Sequence, residues 1–504
     1  MTTANVQNRK KSFAVIFFIE MWERFGYYGM AALMVLFMSQ KLGFSDQKAL
    51  LTWGAFAALV YATPAVGGWI GDQILGTRRT MTLGALTLAL GYILLSIPND
   101  SLLYFALGVV AVGNGLFKAN PGSLISRLYE GDASATDSAF TYYYMSVNLG
   151  AFISQIATPL IAKHVGWHAA FAFCAGGMLL GLLTYYVLRA LLRNVGSDPD
   201  FKPLDLNRLF MVIGGTVLAA VAVMFILQSL AVARAFVVLA GIALAVIFIV
   251  MISRGNVRER NGLIAVLILT LQTILFFIFY QQMSTSLTLF ALRNVNLDLN
   301  LLFMSLHIEP AQFQVLNPMW IFLLSPLLAW IYVRLGRDDR DISIAGKFAM
   351  GFAVLSVGFF IYGLSGNFAV DGRVSAWFMI WGFFFQSLGE LLISGLGLAM
   401  VSHYVPARLR GFMMGAWFLA TGISQYLGSI VANFASVPSD VTDAVQSLPL
   451  YTNLFMKLGF VAVAGTVIAV ALLPFMKKLS DAHREEMPSP ASVATEEELM
   501  HRAD

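Results

Sequence analysis

Apolar residues recur along the chain from Phe13 to Phe475 in stretches of about 20, each long enough at helical rise to cross a hydrocarbon layer. Lipid offers no partner to backbone N–H and C=O groups, so spans of that length are predicted to be helices. A first group of runs falls near 13–39, 48–71, 79–97, 102–121, 138–162 and 168–190. After the polar segment Arg193 to Arg208 come two runs, 209–229 and 234–253, built almost wholly of Val, Ala, Leu, Ile, Phe and Gly. With no charge embedded, they predict a peripheral helical hairpin and not a site. A second group follows near 262–290, 313–335, 344–364, 375–403, 408–434 and 451–476. The remainder, Lys477 to Asp504, carries Pro488, Pro490 and Glu496 to Glu498 and is predicted to be disordered.

The pattern therefore predicts an all-α polytopic membrane protein of 6+6 transmembrane helices plus an inserted two-helix hairpin, 14 helices in all. It divides into a cytoplasmic N-terminus (1–12), a six-helix bundle (13–190), a linker with two inserted helices (191–261), a second six-helix bundle (262–476) and a cytoplasmic tail (477–504).

Composition agrees: 58% of the 504 residues are hydrophobic and 12% charged. A soluble domain carries roughly 25% charged residues. The net charge of +4 comes from Lys and Arg scattered in short loops, which excludes a nucleic-acid surface. Those cations favour alternate connections: Arg78 and Arg79, Arg127, Arg193 and Lys202, Arg254, Arg258 and Arg260, Arg334, Arg337 and Arg340, Arg408 and Arg410, and Lys477 and Lys478 fall on one side. The other side holds Lys41, Lys48, Lys163, Arg234, Arg293 and Arg373 among acids such as Asp46 and Asp371. The positive-inside rule then predicts that both termini are cytoplasmic. Basic Arg9, Lys10 and Lys11 precede the first apolar run, but that run holds Glu20, Glu23 and Arg24 and no evident cleavage site, so it is expected to be a retained span.

Three ionisable residues in one span are the informative anomaly. At about 2.5–3.5 kcal/mol each on insertion scales, Glu20, Glu23 and Arg24 cannot face lipid. With Tyr27 and Tyr28 they stand at i, i+3, i+4, i+7 and i+8, along one helix face that must line protein or water. The fourth span carries Asn114 and Lys118 at i, i+4, followed by Asn120-Pro121, and Lys118 needs a carboxylate or a charged substrate. The tenth membrane span of the 6+6 set offers Gln386, Glu390 and Ser394 at i, i+4, i+8, a polar stripe in an otherwise apolar helix. Tyr144 with Asn148, Asn317 before Pro318, and Tyr280 with Gln281 and Gln282 are equally compatible with interhelical hydrogen-bonding. Trp53, Tyr61, Trp320 and Trp417, taken singly, are compatible with packing or interface roles.

Histidines 164, 168, 307 and 403 fall near span ends, so carboxylates are the expected proton carriers. The single cysteine, Cys174, sits in an apolar run and is read as a packing residue. No metal or organic cofactor is indicated. The chain lacks H-E-x-x-H, G-x-S-x-G and C-x-x-C, which argues against an enzyme.

A short motif, Gly67-Gly-Trp-Ile-Gly-Asp72 to Gly76-Thr-Arg-Arg79, follows the second span, and Leu335-Gly336-Arg337 echoes it imperfectly in the second group. Two six-span bundles about a central cavity with such a loop motif resemble the major facilitator superfamily. More specifically, Glu20-Met-Trp-Glu23-Arg24-Phe25-Gly-Tyr27-Tyr28 resembles the ExxERFxYY motif of the proton-coupled oligopeptide transporter family. The resemblance continues through Gly113-Asn-Gly-Leu-Phe-Lys118, Tyr143-Tyr-Met-Ser-Val-Asn148-Leu-Gly150 and Gly389-Glu390-Leu-Leu-Ile-Ser394, and so covers Phe13 to about Lys478. The inserted hairpin is similar to that of the bacterial branch.

The resemblance implies a proton-dependent symporter of di- and tripeptides in the cell inner membrane, working as a monomer by alternating access. Arg24 and Lys118 would face the peptide carboxylate, Glu390 its amino terminus, and Glu20 and Glu23 would take part in proton binding. Tyr28, Tyr61, Asn148, Asn317, Ser394 and Trp417 would line the pocket. Some relatives have a basic or amide residue where this chain has Ala31, a carboxylate on the seventh span or a histidine on the second, so the outer gate's charge pairs are left unassigned. A family relative moving another small solute, and a receptor or scaffold keeping the same buried charges, remain alternatives at this point.

Overall fold

The computed structural model of the protein describes residues 3–300, 305–337, 342–393, 400, 404–405, 409–438, 441 and 443–485. Its first six long helices are α1 (Thr3–Leu36), α2 (Asp46–Ala62), α3 (Thr77–Ser96), α4 (Leu103–Lys118), α5 (Ala133–His164) and α6 (Trp167–Leu188). The inserted pair is α7 (Leu206–Gln228) and α8 (Leu230–Arg254). The last six are α9 (Val257–Tyr280), α10 (Leu316–Arg337), α11 (Ile344–Leu364), α12 (Ala376–Ile393), α13 (Arg410–Asn433) and α14 (Ala444–Glu485).

Among the described residues, twelve spans are long and apolar enough to cross a membrane. The two long helices not among them are α1, diluted by its charges, and α13, diluted by Gly, Ser, Thr and Gln. Both are instead held by neighbours: α1 packs on α5 and α6, and α13 on α2 and α9.

Several helices start a few residues ahead of their apolar runs, and two ends extend furthest past the sequence reading. Helix α1 starts at Thr3, ahead of the apolar run. Helix α14 continues to Glu485, so residues 477–485 of the tail are helical and not disordered; Met476 and Leu479 are buried there, and residues of good helix propensity follow. The rest of the tail lies outside the described residues.

Close helix approach is built on small side chains. A Cβ on Gly150 would lie 2.2 Å from the Met21 carbonyl oxygen, so glycine is what lets α5 close onto the charged turn of α1. Gly76 adopts φ +105° and turns the chain between the Asp72 motif and α3. The polar segment after α6 clasps this turn: Ser197 Oγ donates to the Gly71 carbonyl at 2.7 Å, Arg78 Nη1 to the Leu192 carbonyl at 2.9 Å, and Arg79 Nη2 to the Lys202 carbonyl at 2.6 Å. Asp72 pairs with Arg127 at 3.1 Å.

The hairpin α7–α8 is mostly exposed, as expected of a peripheral element. It nevertheless touches both groups of helices, α7 against α4 and α8 against α13, α9 and α2.

At one end of the molecule the two six-helix groups are tied together. Arg293 donates to both Asp46 oxygens at 2.6 and 2.8 Å and to the Tyr451 hydroxyl at 2.6 Å, while the Val437 N–H donates to Asp46 at 3.0 Å. Lys163 bonds Glu309, and Trp53 Nε1 donates to Ser284 Oγ at 3.0 Å. The same end carries the few strands: β1 (Val295–Asn296) parallel to β4 (Val374–Ser375), and β2 (Asp298–Asn300) antiparallel to β3 (Ser305–His307). The all-helical expectation is thus modified only in connecting loops.

Candidate functional site

The first wall of the site is the charged face of α1. Glu20, Glu23 and Arg24 are 1%, 0% and 5% exposed. Arg24 Nε donates to Glu20 Oε1 at 2.8 Å and lies 2.9 Å from Glu23 Oε2. Asn114 on α4 donates to Glu23 Oε1 at 3.1 Å. Glu20 Oε2 accepts no hydrogen bond from the protein, and Glu23 Oε2 meets Arg24 as an ion pair without hydrogen-bond geometry. One guanidinium thus serves two buried carboxylates without saturating either. Desolvation on this scale is tolerable only because opposite charges are in contact.

Lys118 closes α4, one turn beyond Asn114, and the next turn restarts at Asn120-Pro121. Its ammonium is half-buried and sits 4.1 Å from the centroid of the Tyr61 ring. Among the described residues no carboxylate lies within ion-pair distance of it.

The opposite wall is built by α12 and the first turn of α10. Glu390 is 7% exposed, and its Oε2 accepts from Asn317 Nδ2 at 2.6 Å. The same amide donates to Ser387 Oγ at 3.1 Å. Pro318 fits the first turn of α10, where a missing N–H leaves no helical bond unmade. Among the described residues no Lys, Arg or His pairs with Glu390, so this carboxylate has a neutral partner only.

Between the walls lies a cavity whose lining includes Tyr28, Tyr61, Asn148, Asn317 and Glu390 from the sequence-derived set. The structure does not bring every candidate to it. Glu20, Glu23, Arg24 and Lys118 are not part of the lining; Arg24 and Lys118 reach lining residues through the rings of Tyr27 and Tyr61. Trp417 packs its ring on Phe277 at 6.4 Å and is not part of the lining. Ser394 lies outside the described residues. Gln386 is a packing residue: it donates to the Phe279 carbonyl and accepts from Tyr362.

Other lining residues carried no decisive sequence signal, namely Tyr27, Trp53, Gln155, Ser284, Gln314 and Gln425. Tyr144 and Tyr280 also line the cavity, which resolves two of the ambiguous polar positions toward the site, whereas Gln282 bonds the Ile278 and Gly428 carbonyls. The span that begins with α9 breaks at the cavity, where Gln281–Ser284 is a 3₁₀ turn and Thr285 takes φ −124°, ψ −99°. Gln281, Met283 and Ser284 from that break face the cavity.

Among the described residues no group of three or more His, Cys, Asp or Glu side chains is placed to hold a metal ion.

Residues 78–448 match the model of the POT family. The chain belongs to the POT family. The dipeptide and tripeptide permease B of Aliivibrio fischeri is 43% identical over 96% of this chain and 97% of its own. Tetrameric PepTSo2 is 53% identical, superposes with a TM-score of 0.86 and is covered to 99%, against 94% of this chain. A structure determined to study substrate recognition in proton-dependent oligopeptide transporters is also 53% identical, with a TM-score of 0.83, over 93% of this chain and 99% of that one. The first-helix charges lie ahead of the family-matched residues. This POT-family chain is a multi-pass membrane protein with a transporter fold.

Proposed function

We propose that the protein imports di- and tripeptides across a bacterial cytoplasmic membrane together with protons, by alternating access between the bundles 13–190 and 262–476. The observation that carries this reading is the division of charge across the cavity: cations Arg24 and Lys118 toward one wall, the carboxylate Glu390 in the other. A peptide is a zwitterion of nearly fixed backbone length, and such a site holds its two ends while leaving side chains free to vary. The relatives, named as permeases of dipeptides and tripeptides, support the same substrate class.

Arg24 and Lys118 take the peptide carboxylate, and Glu390 with Asn317 takes the amino group. Tyr28, Tyr61 and Asn148 line the path between them, and Ser394 and Trp417 are proposed as further substrate-binding residues. Protonation of Glu20 or Glu23 removes one of the two charges that hold Arg24, freeing the guanidinium for the incoming carboxylate. Each proton carried inward through the membrane potential contributes about 2.3 kcal/mol per 100 mV. The loops rich in Lys and Arg face the cytoplasm together with both termini, so the end tied by Asp46–Arg293 is the outer one. This pair and Lys163–Glu309 then fill the outer-gate role that the first-helix Ala31 does not. One chain encloses the whole cavity, which supports transport by the monomer even though a relative, PepTSo2, is tetrameric.

The test is entry of labelled dialanine into liposomes with and without an inward proton gradient. The natural chain should accumulate the label only with the gradient, and Glu20→Gln should show no gradient dependence. Equal uptake in all arms would refute the coupling.

A further inference from the structure

Two glutamines of the cavity lining are set apart from the others around it. Gln155 comes from α5, two turns beyond Asn148 on the same face, and Gln425 from α13 in the opposite group of helices. They are 5% and 2% exposed, and both line the cavity. Gln155 Oε1 accepts no hydrogen bond from the protein, and Gln425 Nε2 donates none. The neighbouring lining glutamines are satisfied: Gln281 donates to Ser429 Oγ at 3.3 Å, and Gln314 to Thr288 Oγ1 at 3.0 Å. Buried polar atoms are nearly always paired, and leaving one unmade opposes folding. Here one acceptor and one donor, from opposite sides, go unpaired at the same cavity.

We propose that Gln155 and Gln425 form a subsite for an amide group of the substrate, Gln155 Oε1 accepting its N–H and Gln425 Nε2 donating to its C=O. This rests on the reading of the cavity as a peptide site and adds what holds the substrate between its charged ends. The chemistry selects an amide. A carboxylate would meet the Gln155 oxygen as a like dipole and an ammonium would meet the Gln425 N–H as one, whereas an amide presents a donor and an acceptor on separate atoms. The terminal torsion of glutamine is broad, so each side chain turns to its partner at small cost. Because the two residues belong to helices of opposite bundles, an amide held by both also links the bundles when substrate is present.

The amide is supplied by the peptide main chain or by a side chain such as that of glutamine, and binding measurements on the full-length protein in liposomes separate the two. The competitors of labelled dialanine are unlabelled dialanine, its ester analogue in which oxygen replaces the peptide N–H, alanyl-glutamine and alanyl-methionine. For a main-chain amide, the ester competes about 5-fold more weakly than dialanine with the natural chain, and that gap closes in Gln155→Met. For a side-chain amide, alanyl-glutamine competes about 5-fold better than alanyl-methionine, and that gap closes in Gln155→Met and in Gln425→Met.

The proposal is overturned if neither gap exists in the natural chain, or if the gaps persist unchanged in both variants. Failure of the natural chain to bind dialanine at all would strike the peptide reading itself and is distinguishable from either result. Methionine keeps the length of glutamine, and two separate single variants guard against one failing to fold.

Discussion

The two walls of the cavity solve the problem of buried charge differently. On the α1 side, two carboxylates share one guanidinium, with a second cation one helix away, so four ionisable groups sum to no net charge. On the α12 side, Glu390 has an amide for a partner and no cation among the described residues. A balanced cluster is stable without ligand and responds to a single proton by releasing one of its members. An unbalanced carboxylate is stabilised when a substrate brings the missing positive charge. The contrast is the basis for proposing proton coupling at the first wall and recognition of the amino terminus at the second.

The most severe way to break the first wall is Arg24→Ala, which leaves two facing carboxylates without their shared cation. Uptake of labelled dialanine should be lost, and thermal unfolding in detergent should register about 3–5 kcal/mol of destabilisation, the usual effect of removing one partner of a buried pair. Glu390→Gln should behave oppositely with respect to stability, because it removes an uncompensated charge and keeps a side chain able to bond Asn317. Its unfolding temperature should hold or rise while dialanine affinity falls about 10-fold or more, the effect of a lost charge-assisted hydrogen bond. If Glu390→Gln destabilised the protein as severely as Arg24→Ala, the distinction between the walls would disappear.

A smaller effect is expected at the tied end of the molecule. The Arg293 side chain is 27% exposed and its partner Asp46 is 4% exposed, so the pair is partly screened. A double-mutant cycle with Asp46→Asn and Arg293→Gln should give a coupling of about 1 kcal/mol in unfolding. Because the pair joins the two six-helix groups, each single variant should also make a thiol introduced at Ser284 react faster with a membrane-impermeant reagent added from that end. Unchanged labelling would remove Asp46–Arg293 from the gate.

How much of this was legible in sequence follows from where the interacting residues lie. Glu20, Glu23 and Arg24 belong to one helix, and helical periodicity alone puts them on one face. The membrane setting makes that face informative, because lipid would not accept it. The Asn317–Glu390 bond joins residues 73 apart and Arg293–Asp46 residues 247 apart, and spacing holds no trace of either. What sequence did offer for the latter was side: Asp46 and Arg293 fall on the same poorly basic face of the membrane. Gln155 and Gln425 gave no signal, since a lone glutamine in a span is as compatible with helix packing as Gln386 proves to be. Trp417 was grouped with the lining by resemblance, and the structure turns it onto Phe277. The helical continuation of α14 past the membrane was missed because apolar content, and not helix propensity, set the predicted boundary.

The division of labour between the walls is tested most directly by removing one substrate charge at a time. Competition against labelled dialanine would compare dialanine, N-acetyl-dialanine and dialanine amide, for the natural chain and for Glu390→Gln. The natural chain should reject both blocked forms. Glu390→Gln should become indifferent to acetylation while still rejecting the amide, because the cations of the first wall are intact. A Glu390→Gln variant that discriminates against the acetylated peptide as strongly as the natural chain would contradict the account.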